Sequence, residues 1–328
     1  MQKFSLLDLA PVPEGKTVAD ALVNTVDLAR HAETLGYHRF WLAEHHNMPG
    51  IASAATAVVI GQVAAATRTM RIGAGGIMLP NHAPLVVAEQ FGTLASFYPE
   101  RIDLGLGRAP GTDGLTMRAL RRNMPVEDQF PQDVAELIGY LDDPKDNAQV
   151  RAFPGDGTKV PIWILGSSLY GAQLAAHFGL PYAFASHFAP DMLSEAIRIY
   201  RDKFEPSKWL SKPYVMIAAG VCAAETDDEA EFLRSSQRLA FARLFTGKAG
   251  KLPHPTHNLD QEVPAQVLAK VDHALSFSAT GSAERVRKDL GAMLEQYLPD
   301  ELMVTSMIHD HAARVNSFKI AAEVLSEA

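Results

Sequence analysis

Cysteine is nearly absent: Cys222 is the only one in 328 residues. That excludes an intramolecular disulfide framework and any multi-cysteine zinc site, and it points to a reducing, cytoplasmic setting. Charge of one sign is concentrated nowhere. The 30 basic and 38 acidic residues leave a net charge of −8, and no block of five like charges occurs, so neither a nucleic acid nor an anionic membrane is expected as the main partner. Long apolar runs are missing as well. Residues 4–10 form a short run interrupted by Asp8, which does not make a signal peptide. Residues 51–66 hold Ser53, Thr56, Gly61 and Gln62 and fall short of the ~20 apolar residues of a membrane span. No G-x-G-x-x-G opens a helix after the first strand, and neither a P-loop nor a G-x-S-x-G elbow is present. An open doubly wound sheet with a nucleotide loop is therefore disfavoured.

What is present is ordinary globular material. Apolar residues make up 47% and charged residues 21%, and a chain of this length buries roughly 75% of its unfolded surface. Short apolar runs alternate with longer helical patterns, the signature of βαβ units around a parallel sheet. The runs predict strands at 4–9, 39–43, 70–78, 102–106, 162–165, 183–186, 214–222 and 301–306. Eight strands close a barrel with a packed interior, and the first four begin about 32 residues apart, close to one βα unit each. The pattern predicts a single domain over residues 1–328, an α/β fold of the (β/α)8 TIM-barrel type. Helices are expected at 18–35, 53–66, 84–96, 133–141, 169–178, 192–204 and 227–244. Two stretches break the rhythm, 110–159 and 246–271, and read as long loops inserted after strands 4 and 7.

Barrel enzymes place their chemistry where strands end, and four such junctions stand out. The second strand runs into Ala43-Glu44-His45-His46-Asn47, where an imidazole can move protons near neutral pH; a histidine that merely bonds neighbouring loops is the bland alternative, and a metal set is the weaker one. The third strand holds Gly73, Gly75 and Gly76, which mark close approach of a ligand or of another backbone. The fourth ends in Gly105-Leu106-Gly107-Arg108, whose guanidinium suits a phosphate or carboxylate, although such an arginine is more often an ion-pair residue. The fifth leads through Ser167 and Ser168 into a helix. Ser168 can cap that helix, and the helix start can hold an anion. Together with Arg108 on the adjacent strand it can cradle one phosphate. Arg118, Arg121 and Arg122 read as a solvated basic face, His187 as a structural histidine, and Cys222 as a core residue.

These junctions, in this order, resemble the bacterial luciferase-like flavin monooxygenase family. The resemblance runs from the first strand to the last helix, on Glu44-His45-His46, Gly75 to Pro80, Pro84 to Gln90, Arg101 to Arg108, and Gly281-Ser282-Ala283-Glu284. It implies FMN bound at the barrel's C-terminal mouth in its reduced form, with O₂ and a small organic molecule (an aldehyde, a ketone, or a sulfur or nitrogen compound) as substrates. With no nicotinamide fingerprint in the sequence, reduced flavin is expected from a separate flavin reductase or through a nicotinamide that binds transiently. The helices at 53–66 and 84–96 are apolar over more than one narrow stripe, which predicts a homodimer through the side by which the family often dimerises. A deazaflavin-dependent dehydrogenase and a non-catalytic flavin-binding protein are the alternatives. By the resemblance His45 acts near the flavin, with His46 as its companion, and a non-proline cis peptide falls at Gly75–Gly76. Gly107, Arg108, Ser167, Ser168 and Gly171 match cofactor positions, with Arg108 and Ser168 on the phosphate. The luciferases carry alanines at the matching pair, so Gly76→Ala is expected to be tolerated better than Gly76→Leu, which should exclude FMN. Glu100 stands where the family has glycine, Ser167 where it has glutamate, and Gly171 near a position where it has a hydroxyl. No match to the luciferases' long lid is found.

Overall fold

The alternation of apolar runs and helices winds into a closed parallel barrel. The computed structural model describes residues 3–109, 111–120, 128–144 and 148–327; Arg121 and Arg122 of the basic cluster lie outside them. The strands are β1 (Lys3–Asp8), β2 (Arg39–Leu42), β3 (Arg71–Met78), β4 (Ile102–Gly107), β5 (Ile162–Gly166), β6 (Tyr182–Phe184), β7 (Val215–Ala223), β8 (Ser278–Gly281) and β9 (Glu301–Thr305). The helices are α1 (Val18–Thr34), α2 (Thr56–Ala66), α3 (Pro84–Phe97), α4 (Gly114–Ala119), α5 (Phe130–Leu141), α6 (Leu169–Phe178), α7 (Leu193–Lys203), α8 (Asp227–Phe245), α9 (Leu259–Glu262), α10 (Ala265–Ala274), α11 (Ala283–Tyr297) and α12 (His311–Ser326). Strands β1 to β7 pair in sequence order, and β9 closes the ring between β7 and β1. Among the described residues no helix is long and apolar enough to cross a membrane.

The ring has the expected eight strands; the ninth, β8, was not anticipated. It hydrogen-bonds to Gly220–Ala223 of β7, beyond the stretch Met216–Gly220 that carries β9. Its four residues, Ser-Ala-Thr-Gly, are too short and too polar to show as an apolar run. The stretch 246–271 also differs from a plain loop, because α9 and α10 lie in or across it. Helix α10 follows Pro264 and buries Val271 in a cluster with Leu239 and Ala242 of α8. Helix α5 starts at Phe130, before the predicted 133, because a proline in the first turn lacks only an amide that the helix does not use. Helix α2 starts three residues later than predicted; Ser53 sits before it and donates its hydroxyl to the Ala43 carbonyl at 2.6 Å. Glu100, in the family's glycine position, has φ +63°, a left-handed conformation that favours glycine.

The barrel interior is layered. At the end where the strands begin, Arg39 bonds Asp103 at 2.6 Å and Glu301 at 3.0 Å. Arg71 bonds Asp103 at 2.6 Å, Tyr214 donates to Glu301 at 2.9 Å, and Ser5 also donates to Glu301. Burial opposes ionisation of Asp103, but the Arg39 and Arg71 guanidiniums prevail and hold its carboxyl below the usual range. Above this ionic layer lie Leu7, Trp41, Trp163, Met216 and Met303, with Trp41 and Trp163 edge to face at 5.2 Å. Above those, toward the strands' C-terminal ends, the interior opens. A strap at residues 249–252 crosses there: Leu252 N–H donates to Val12 at 2.9 Å, and Glu14 N–H donates to Leu252 at 2.8 Å. The strap passes so close to Gly50 that a Cβ there would lie 2.3 Å from the Gly250 carbonyl oxygen.

Candidate active site at the barrel mouth

The interior opens into a cavity of about 480 Å³, within the range of small-molecule sites. Its floor is the apolar layer, including Leu7, Trp41, Leu165, Met216 and Met303. The lining includes His45, Gly75, Gly76, Gly107, Arg108, Ser167, Ser168 and Gly171, and also His187, Tyr170 and Gln237. His46 is not among the lining residues.

The two lining histidines are held neutral. Burial lowers the pKa of His45, and His46 adds to the effect against the opposing pull of Glu44. His187, on the loop after β6, is pushed down to about 4, first by burial and then by His45. The Nδ1 atoms of both are buried without a hydrogen-bond partner among the described residues. His187 is therefore not the satisfied structural histidine expected from sequence. His46 instead sits 2.6 Å from Glu44 Oε1 through Nε2.

Glu44 is a hub that the sequence did not reveal. It is 1% exposed and accepts from His82 Nε2 at 2.9 Å, Met78 N–H at 3.0 Å and Asn81 Nδ2 at 3.3 Å. Burial works against its charge, yet these bonds, His82's first, keep its pKa low. Its own N–H donates to the Gly76 carbonyl at 3.1 Å, so the end of β2 is tied to the end of β3. Glu44, His46 and His82 bring three potential ligand atoms within 4.8 Å of one another, but hydrogen bonds satisfy the carboxylate without an ion.

The Gly75–Gly76 peptide is cis. A Cβ on Gly76 would meet Leu165 Cδ1 at 2.3 Å and the Gly105 carbonyl oxygen at 2.6 Å. It would strike the adjacent strand, so even alanine, expected to be tolerated better than leucine, forces a shift there. On Gly75 it would meet the Trp41 ring at 2.8 Å and Leu7 at 3.2 Å. Both glycines thus let β3 approach its neighbours closely while their backbone lines the cavity.

A basic corner faces the mouth. The Arg108 guanidinium stacks 4.2 Å over the Tyr170 ring and pairs with Asp128 at 3.2 Å, both ion-pair partners being roughly half exposed. Partial burial and the Asp128 carboxylate push the Tyr170 hydroxyl up to about 12. Ser168 occupies the N-cap of α6, but its hydroxyl makes no capping bond. The helix's first amides and the Ser167 and Ser168 hydroxyls therefore lie at the same corner as Arg108, an arrangement suited to an anion. Gly171, in the first turn, packs against Leu165 O and Tyr182 with 3.3 Å of room for a Cβ. Apolar floor, basic corner and neutral imidazoles together fit a flat aromatic group carrying an acidic tail, as a flavin does.

Fold and site define a parallel-barrel enzyme with one deep mouth cavity. The model for luciferase-like monooxygenases matches residues 2–301, and the chain belongs to that family; it is an oxidoreductase, and its relatives use flavins. It is 55% identical over 325 residues to a luciferase-like monooxygenase of Escherichia coli (strain K12), covering 99% of this chain and 97% of that one. It is 41% identical to the N-acetyl-S-alkylcysteine monooxygenase of Bacillus subtilis (strain 168) over 239 residues, 70% of each. The crystal structure of apo-MsnO8 superposes with a TM-score of 0.88 at 36% identity, covering 100% of this chain and 99% of that one. At 16% identity, where likeness shows the fold alone, stand a type II Baeyer–Villiger monooxygenase in complex with FMN (TM-score 0.68, covering 98% and 97%) and an F420-dependent secondary alcohol dehydrogenase (0.71, covering 99% of each).

Proposed function

We propose that the protein is an FMN-dependent monooxygenase that oxygenates a small organic substrate with reduced flavin and O₂. One observation carries this reading: the basic corner of Arg108, Ser167, Ser168 and the α6 N-terminus opens onto the apolar floor in one cavity. Arg108 and the α6 amides would bind the phosphate, with the Ser167 and Ser168 hydroxyls adding donors. The Gly75–Gly76 backbone and Trp41 would bound the ring. Reduced flavin, when bound, supplies the electrons that activate O₂. His45, neutral and buried, would hold or pass a proton beside the ring. His46 would act through Glu44 by fixing the loop that carries His45. The apolar floor keeps water from the reaction.

A deazaflavin is less well matched, because Arg108 is the only charged side chain among the described lining residues and offers little to an acidic oligomeric tail. A storage role would have no use for the two neutral imidazoles. The decisive experiment titrates FMN and a deazaflavin separately, then follows O₂ consumption with reduced FMN supplied by a flavin reductase. Tighter FMN binding and substrate-dependent O₂ uptake are expected; tighter deazaflavin binding, or no O₂ chemistry with any substrate, would overturn the reading.

The proposal includes a cytoplasmic enzyme, which the buried, unpaired Cys222 suits. It also includes a homodimer through α2 and α3, where Val58 is 74% and Phe97 72% exposed. Light scattering should give twice the chain mass, with Val58→Lys shifting it toward the monomer.

A further inference from the structure

The reading above assigns the basic corner at the ends of β4 and β5 to the flavin phosphate, and the inference here rests on it: the wall that faces the Gly75–Gly76 backbone is left to the substrate. Strand β7 stands across the ring from β3. The helix after it, α8, contributes Gln237, Ala240, Phe241 and Leu244 to the lining, and Leu252 of the strap and Phe188 add to it. Leu244 and Phe188 are also 39% and 44% exposed, so the apolar lining continues to a rim that water reaches.

Among the described residues that line this wall there is no cation. Arg108, the only charged side chain among the described lining residues, belongs to the basic corner and is paired with Asp128. The arginines of α8 are engaged elsewhere. Arg243 pairs with Glu14 at 2.6 Å, Arg238 pairs with Asp272 at 2.8 Å, and Arg234 donates to Leu275 O and Ser278 Oγ. Both lining histidines are held neutral. A carboxylate laid against such a wall would lose its water and gain no counter-charge. Gln237 is the one side-chain amide among the described lining residues, and an amide offers both donors and an acceptor without charge.

We propose that this wall receives an uncharged, largely apolar substrate, that Gln237 orients its one neutral polar group by hydrogen bonding, and that carboxylates are rejected. Gln237 is then a specificity-determining residue.

The test uses two probes that differ in charge and by one methyl group, N-acetyl-S-butylcysteine and its methyl ester, titrated by calorimetry at neutral pH; the added methyl alone is worth roughly four-fold. The protein is first loaded with FMN and its flavin content measured. Failure to load would sink the cofactor reading, whereas the ester-to-acid preference can still be measured on the flavin-free protein. The ester should bind about ten-fold or more tightly than the acid. Gln237→Leu should weaken ester binding by roughly three- to ten-fold, and Gln237→Lys should invert the preference toward the acid. FMN affinity unchanged in both variants shows that they are folded. The proposal is overturned if the acid binds as tightly as the ester, if neither binds, or if the Gln237 variants leave the preference where it was.

Discussion

Adding one methyl group at Gly76 tests how the cavity floor is built. The new Cβ would lie 2.3 Å from Leu165 Cδ1 and 2.6 Å from the Gly105 carbonyl oxygen. The leucine can rotate away; the carbonyl is part of β4, which is in register with β3 through Gly75 and Gly105. The change therefore forces backbone apart, and overpacking of this kind costs about 1–3 kcal/mol, with the upper end expected where the obstacle is main chain. For a chain of this length, that lowers Tm by about 2–4 °C. Gly75→Ala is the internal control. Its Cβ would meet only side chains, Trp41 at 2.8 Å and Leu7 at 3.2 Å, which yield more easily, so its drop should be smaller. Calorimetric melting of both variants, with and without saturating FMN, reads the difference. The Gly76→Ala loss should be present in the flavin-free protein. A variant melting at or above wild type, or falling less than Gly75→Ala, would refute the reasoning and return the pair to a role confined to the ligand.

Arg108→Ala should weaken FMN about ten-fold, near the low end for a charge-assisted bond because the arginine is half exposed; Asp128→Asn, which removes its competing partner, should tighten FMN, and equal affinities by fluorescence titration would place the phosphate elsewhere. His45→Ala should keep FMN affinity near wild type while lowering turnover by about 10²–10⁴-fold, and unchanged turnover with a true substrate would make it scaffold. His187 titrates near 4 when folded but near 6.5 when unfolded. The unfolded chain therefore binds the extra proton between those values, and stability falls as pH drops through that window by up to about 1.4 kcal/mol per unit. Urea melts at several pH values should show a shallower slope in His187→Leu, and an identical slope would mean that His187 is not the group responsible.

The barrel was legible because its strands are apolar runs spaced at the length of a βα unit, a pattern set by burial on both faces. Strand β8 was hidden because Ser278, Thr280 and Gly281 carry no such signal and only a neighbouring strand makes them extended. The strand-end residues were legible by position, and Arg108, Ser167, Ser168 and His45 do line one cavity. Their partners were not. Glu44 meets His82 across 38 residues of sequence, and Arg108 meets Asp128 through a long insertion, so neither pairing leaves a local trace. Gln237 reads along α8 as one more polar residue on a solvated face. The direction of a missing Cβ at Gly76 depends on where β4 and Leu165 end up, which no window of sequence contains.

The ionic layer at the base of the barrel has a consequence for how the chain is made. Arg39 and Asp103 are buried and are joined there by Glu301, which lies 262 residues after Arg39. During synthesis the early strands leave the ribosome long before β9 does. Until then Arg39 lacks one of its two carboxylates, and β1 and β7 present unpaired edges where β9 will lie. A nascent chain in that condition exposes both strand edges and an uncompensated charge, the features that slow folding and invite association between chains. Closure is thus a late event that joins the two ends of the sequence at once, and a fragment ending before Glu301 should be held by chaperones rather than fold as a smaller barrel.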